Sequence, residues 1–110
     1  LFQQTQPALL SKLIATMRSQ LGEWGDPEED LAVRCIELHA YAVGGGLITP
    51  EHRDNGSKLT ISFLLSHTDD FAGGQFVTYA SGHPVLHELA RGDALLFHSE
   101  RLHNVCPVTR

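Results

Sequence analysis

His52-Arg53-Asp54 places an imidazole and a carboxylate two residues apart. In an extended segment positions i and i+2 point the same way, so both side chains can reach one metal ion. The pair alone says little in a chain with seven histidines. A third donor, returned from elsewhere in the fold, is needed. His103 is the best placed. It opens the strand-like run His103-Asn104-Val105-Cys106-Pro107-Val108-Thr109, 49 residues beyond Asp54, a gap long enough for several strands to fold back. Two histidines and one carboxylate on one face of a metal leave three positions open, the set that suits non-haem Fe(II) when a co-substrate and O2 must bind together. A structural zinc site is closed by four protein ligands, and three is one too few.

The other histidines offer less. His67, His83, His87 and His98 fall in or near turns or at strand edges, where an exposed imidazole is the default. His39 shares a face with Tyr41, but no second ligand follows it at strand or helix spacing, so a structural histidine satisfied by hydrogen bonds is the expectation.

Several elements must position these donors. Residues 7–21 read as a helix, with Thr5 or Gln6 near the N-cap and Pro7 in the first turn. Leu10, Leu13, Ile14, Met17 and Leu21 recur at three- and four-residue steps, a stripe for core packing. Gly22 and Gly25 close the helix before a polar turn. Period-two alternation then marks a strand over 31–43. Arg34, Ile36, Leu38 and Ala40 form its mostly apolar face, turned toward the helix. Glu37, His39 and Tyr41 form the other, which either faces water or lines a hydrophilic cavity. Gly44-Gly45-Gly46 breaks this strand. A second, over 58–66, sets Leu59, Ile61, Phe63 and Leu65 against Lys58, Thr60 and Ser62. Shorter strands follow at 75–79, 85–89, 94–98 and 103–109, separated by Gly-rich and polar breaks. Many short strands after one helix argue for a mainly β fold, a sandwich or jelly roll.

Composition bounds the rest. A chain of 110 residues, 42% hydrophobic and 19% charged, is expected to form one domain spanning 1–110. Its formal charge of −5 and the lack of a basic stripe weigh against nucleic acid as a partner. No apolar run reaches membrane-spanning length. Cys35 and Cys106 make neither a CxxC site nor a disulfide framework, and buried free thiols are expected. Leu1 rather than Met opens the chain, and Arg110 falls inside a strand-like run, so a longer protein is expected around it.

Taken in order, these pieces resemble a known pattern. Residues 37–110 are similar to the double-stranded β-helix core of the Fe(II)- and 2-oxoglutarate-dependent dioxygenases, in the prolyl 4-hydroxylase-like branch. The matching features are Tyr41, the glycines 44–46, His52 and Asp54, Thr60, Gly73-Gly74-Gln75-Phe76, Gly92-Asp93-Ala94-Leu95-Leu96-Phe97, and His103 with Val105, Pro107 and Val108. Each is weak alone; the ordered set is specific.

The resemblance implies a jelly-roll core with an N-terminal packing helix and a C-terminal strand continuing past Arg110. It implies Fe(II) on His52, Asp54 and His103, with 2-oxoglutarate as co-substrate beside Tyr41 and Thr60, and ascorbate as a family-level requirement. The implied reaction hydroxylates an unactivated C–H bond and releases succinate and CO2. A peptidyl prolyl or lysyl substrate is the branch default, with a small molecule the other option. No protein acid, base or nucleophile is nominated. The family's basic anchor for the far carboxylate of 2-oxoglutarate is expected beyond Arg110, which is out of register for that role. Two rivals remain: a cupin-like metal-binding β-barrel that does without 2-oxoglutarate, and a non-catalytic truncated core serving as an interaction module.

Overall fold

The computed structural model describes residues 2–20 and 30–110, arranged as two compact units, Leu1–Leu38 and His39–Arg110. In the first unit a short helix α1 (Phe2–Thr5) is followed by α2 (Pro7–Ser19). Gln6 is the N-cap and Pro7 takes the first turn, where its missing N–H costs nothing. The apolar stripe is present, with Leu10, Leu13, Ile14 and Met17 half-buried, yet α2 fully buries none of its residues. Leu21 and the expected 22–27 turn lie outside the described residues.

The expected strand over 31–43 does not form; none of these residues belongs to a strand of either sheet. Ile36 and Leu38, assigned to the covered face, are 53% and 82% exposed. Alternation gives a segment two faces, but a strand also needs a neighbouring backbone to satisfy its N–H and C=O groups. Cys35 is exposed and Cys106 half-buried, both free, so the buried-thiol expectation fails for Cys35.

The second unit is built of strands in two antiparallel sheets, the β-rich architecture expected. Strand β1 (Leu59–Phe63) pairs with β4 (Ala94–His98), Thr60 opposite Phe97. Strand β2 (Phe76–Ala80) lies between β3 (His83–His87) and β5 (His103–Val105). The β2–β3 hairpin turns on Ser81 and Gly82, both at positive φ (52° and 79°), the backbone that a two-residue type I′ turn demands.

Beyond Val105 the chain keeps bonding on both sides without remaining a regular strand. Cys106 N donates to Gln75 O at 2.8 Å, and Pro107, with no N–H, interrupts the ladder. Pairing resumes at the bridge between Gly73 and Val108. On the opposite side Leu47 and Val105 exchange two 3.0 Å hydrogen bonds, and Val108 N donates to Gly45 O at 2.9 Å. Residues 103–110 are thus held between 44–52 and 72–78.

Among the described residues the buried set is Val77, Phe97, Thr78, Ser99 and His103. The Phe97 ring of β4 meets Phe76 of β2 at 5.6 Å and His103 of β5 at 4.9 Å, so one aromatic cluster joins the two sheets. Polar residues make up most of this core, which places the unit's best-packed region at its chemistry.

Candidate metal centre

Each of the three expected ligands is set by a different part of the second unit. His103 begins β5 opposite Thr78, its imidazole 4% exposed as a residue. The ring stacks on Phe76 with a 7° interplanar angle at 5.6 Å, and Phe97 packs beside both rings, 4.9 Å from His103. Its Nδ1 lies 2.9 Å from the Arg101 carbonyl oxygen, which accepts a hydrogen bond from it. That tautomer leaves the Nε2 lone pair free to ligate.

His52 is delivered by the segment that docks on β5. Gly46 starts that docking so tightly that a Cβ there would lie 2.7 Å from the Val105 carbonyl oxygen. The chain then bows outward through Thr49–Pro50–Glu51, with Glu51 at φ 56°, and returns where His103 N donates to His52 O at 3.1 Å. Asn104 spans the bow: its Nδ2 donates to Thr49 O at 2.9 Å, while its Oδ1 accepts from the Tyr79 hydroxyl at 2.6 Å. The backbone of His52 is therefore registered against the residue that supplies the third ligand.

Asp54 is tied to the other sheet. Its N–H donates to Ser99 O at 2.9 Å, and Ser99 N donates in turn to Lys58 O at 3.0 Å, extending the β1–β4 pairing. One carboxylate oxygen, Oδ2, accepts from the Thr60 hydroxyl at 2.8 Å. The other, Oδ1, stands 3.4 Å from His52 Nε2 and 3.4 Å from His103 Nε2.

His52, Asp54 and His103 thus form a group that could hold a metal ion, their ligand atoms all within 4.8 Å of one another. Donors about 2.1 Å from an ion and at right angles stand about 3 Å apart, so the two 3.4 Å separations from Asp54 Oδ1 lie near those that a bound ion would require. The His103 side chain is 5% exposed, whereas His52 and Asp54 are 31% and 27% exposed, so the open coordination positions face the accessible side. Neutral imidazoles and a carboxylate suit a divalent transition metal.

The structure brings Thr60 into this group but as a partner of Asp54. Tyr41 is half-buried beside His39, its hydroxyl 3.3 Å from His39 Nδ1 and the two rings 6.2 Å apart. Burial raises the Tyr41 phenol above its ordinary pKa. His39 is exposed, and this contact gives it the satisfied structural role expected. Of the remaining histidines, His83 is exposed and His67 caps the short turn Thr68–Asp70 by accepting from Asp69 N. His87 departs from the expectation: half-buried, it sits 2.7 Å from the Thr78 hydroxyl.

Ser99 falls in the polar break that follows the strand over 94–98. It is fully buried, and its hydroxyl lies 2.8 Å from that of Thr60. The signal was present in the alternation: Phe97 points inward opposite Thr60, so Ser99, two residues on, points inward too. Phe76 and Phe97 were placed in strands without a role, and they turn out to wall the imidazole of His103.

No helix among the described residues is long and apolar enough to cross a membrane. No protein-family model matches the chain, and no solved structure matches it.

Proposed function

We propose that this chain is the core of an Fe(II)- and 2-oxoglutarate-dependent dioxygenase of the prolyl 4-hydroxylase-like kind, with its two sheets arranged as a double-stranded β-helix. The observation that carries the reading is the convergence of His52 and Asp54 with His103, 49 residues further along the sequence, on one point. Two further supports are the order of motifs along residues 37–110 and the open side of the site. When bound, Fe(II) would supply the chemistry by which O2, the oxidant, hydroxylates an unactivated C–H bond and converts 2-oxoglutarate to succinate and CO2, one oxygen atom going to each product.

The chain's own residues have narrower tasks. His52, Asp54 and His103 hold the ion and leave co-substrate positions free. Phe76 and Phe97 exclude water from the His103 side and fix its ring plane. The Arg101 carbonyl holds the His103 tautomer. Tyr41 supplies a hydroxyl donor for 2-oxoglutarate, with ascorbate maintaining the reduced metal. A peptidyl prolyl or lysyl side chain is the proposed substrate.

A second reading, a cupin-like metal-binding β-barrel, is favoured by one specific observation. The Thr60 hydroxyl, expected beside 2-oxoglutarate, is engaged with Asp54 and Ser99. Binding separates the two. With Fe(II) loaded under anaerobic conditions, an oxygenase core binds 2-oxoglutarate at millimolar concentration, and admitting O2 yields succinate detectable by NMR. Metal binding with no response to 2-oxoglutarate, in a form of the protein that includes the basic anchor expected beyond Arg110, would leave the barrel reading standing and the oxygenase reading refuted.

A further inference from the structure

Asp54 presents two oxygens, and the structure treats them differently. Oδ1 faces both histidine nitrogens at 3.4 Å. Oδ2 is taken by the Thr60 hydroxyl at 2.8 Å. A hydroxyl has one proton and two lone pairs. With its proton given to the carboxylate, the Thr60 oxygen can only accept from Ser99, whose hydroxyl lies 2.8 Å away. Ser99 is 0% exposed, so no water competes for it. The direction of the whole chain is therefore set: Ser99 O–H donates to Thr60, and Thr60 O–H donates to Asp54 Oδ2.

We propose that the relay from Ser99 through Thr60 to Asp54 fixes the carboxylate as a one-oxygen ligand, making Thr60 and Ser99 positioning residues of the metal centre rather than contacts of a co-substrate. This inference rests on the metal site proposed above and assigns roles that the site itself does not require. A free carboxylate can turn and chelate through both oxygens, which would consume one of the three open positions. The relay opposes that turn in two ways. It occupies Oδ2 with a 2.8 Å hydrogen bond, so that oxygen must give up a partner to reach the metal. It also ties the carboxylate to both strands of one sheet, because Thr60 lies within β1 and Ser99 immediately follows β4. The Asp54 N–H bond to Ser99 O fixes the same residue through its backbone, so side chain and main chain of Asp54 both register on Ser99. Hydrogen bonds behind metal ligands commonly change affinity 10–100-fold, so about that range is expected here.

Co(II) titration of the purified chain, followed by visible absorption and calorimetry, tests the relay. Thr60→Val removes the hydroxyl at nearly constant volume and should weaken Co(II) binding by about 10–100-fold. It should also shift the Co(II) visible bands, because a second carboxylate oxygen then replaces solvent at one of the open positions. Thr60→Ser should restore both. Ser99→Ala should give a smaller loss in the same direction, since Thr60 still holds the carboxylate. Wild-type affinity and spectrum in Thr60→Val would overturn the proposal while leaving the metal site intact. If that variant does not fold, Ser99→Ala decides, and an unchanged affinity and spectrum there overturns it equally. Failure of the unaltered chain to bind Co(II) refutes the site and the relay together.

Discussion

Replacing His103 separates two contributions that one side chain makes at once. Its imidazole is a ligand, and it is also the centre of an aromatic cluster, 5.6 Å from Phe76 and 4.9 Å from Phe97 at 4% exposure. His103→Ala removes both functions. The cavity left beside the two phenyl rings should cost about 2–4 kcal/mol of metal-free stability, in the range of other large-to-small core changes. His103→Phe keeps a ring in the cluster and loses only the donor. Its metal-free cost is the hydrogen bond to Arg101 O, about 1 kcal/mol, and the exposed position of Arg101 lets water replace it. Metal adds a separate quantity. An ion that binds only the native state stabilises by about 2.7 kcal/mol at one hundred times its Kd. For a unit the size of His39–Arg110, each kcal/mol moves Tm by about 4–8 °C, so saturating Mn(II) or Co(II) should raise Tm by about 10–20 °C. Thermal unfolding followed by circular dichroism, with and without metal, gives all the values. The unaltered chain should show the full metal shift; His103→Phe should match its metal-free Tm within several degrees and show no shift; His103→Ala should lose on both counts. A metal-dependent shift retained in His103→Phe would refute the assignment of His103 as a ligand.

Three other perturbations probe the supports of the site. Gly46→Ala pushes a methyl to within 2.7 Å of the Val105 carbonyl oxygen, which should destabilise by about 1–3 kcal/mol in urea unfolding and weaken metal binding by displacing the segment that carries His52. Tyr79→Phe removes the 2.6 Å bond that orients Asn104 toward Thr49, and should cost about 0.5–1.5 kcal/mol in the same assay, with a smaller loss of metal affinity than Gly46→Ala. Tyr41 gives a pH signature. Burial raises its phenol, so between the ordinary pKa of about 10 and the raised native value the folded state keeps a proton that the unfolded chain releases, and stability falls as pH climbs through that window. In Tyr41→Phe that share of the alkaline slope should vanish from denaturation midpoints.

The parts of this molecule that were legible in sequence are those where one local signal is enough. Residues 94–98 lie between the breaks Arg91-Gly92 and Ser99-Glu100, and β4 occupies just those positions. Pro7 announced the start of α2, and alternation found β1, β2 and β3 to within two or three residues. The strand expected over 31–43 does not form: alternation carries no information about a partner backbone, and the stretch enters neither sheet. The run 103–109 was read as one strand, whereas Pro107 divides it after a three-residue β5. The proline was visible in the sequence; its effect depended on which neighbour each N–H had to reach.

Thr60 shows where that limit bears on function. Its face was legible: Lys58, Thr60 and Ser62 alternate against Leu59, Ile61 and Phe63, and the Thr60 side is the one that meets Phe97 and the metal ligands. What a side chain does on the correct face depends on where the next inward-facing polar atom lies. Ser99 is 39 positions away in sequence, and it lies within 2.8 Å only because β1 and β4 pair in a register with Thr60 opposite Phe97. A one-residue slip of that pairing would turn Ser99 to the other face and leave Thr60 free to meet an incoming ligand. The register of a two-stranded sheet therefore decides between a threonine that contacts a co-substrate and one that aims a carboxylate. The same register carries Phe97 against His103, so packing of the third ligand and orientation of the second depend on one strand pairing. Metal affinity and the stability of the β1–β4 pair should consequently fall together in any variant that loosens it.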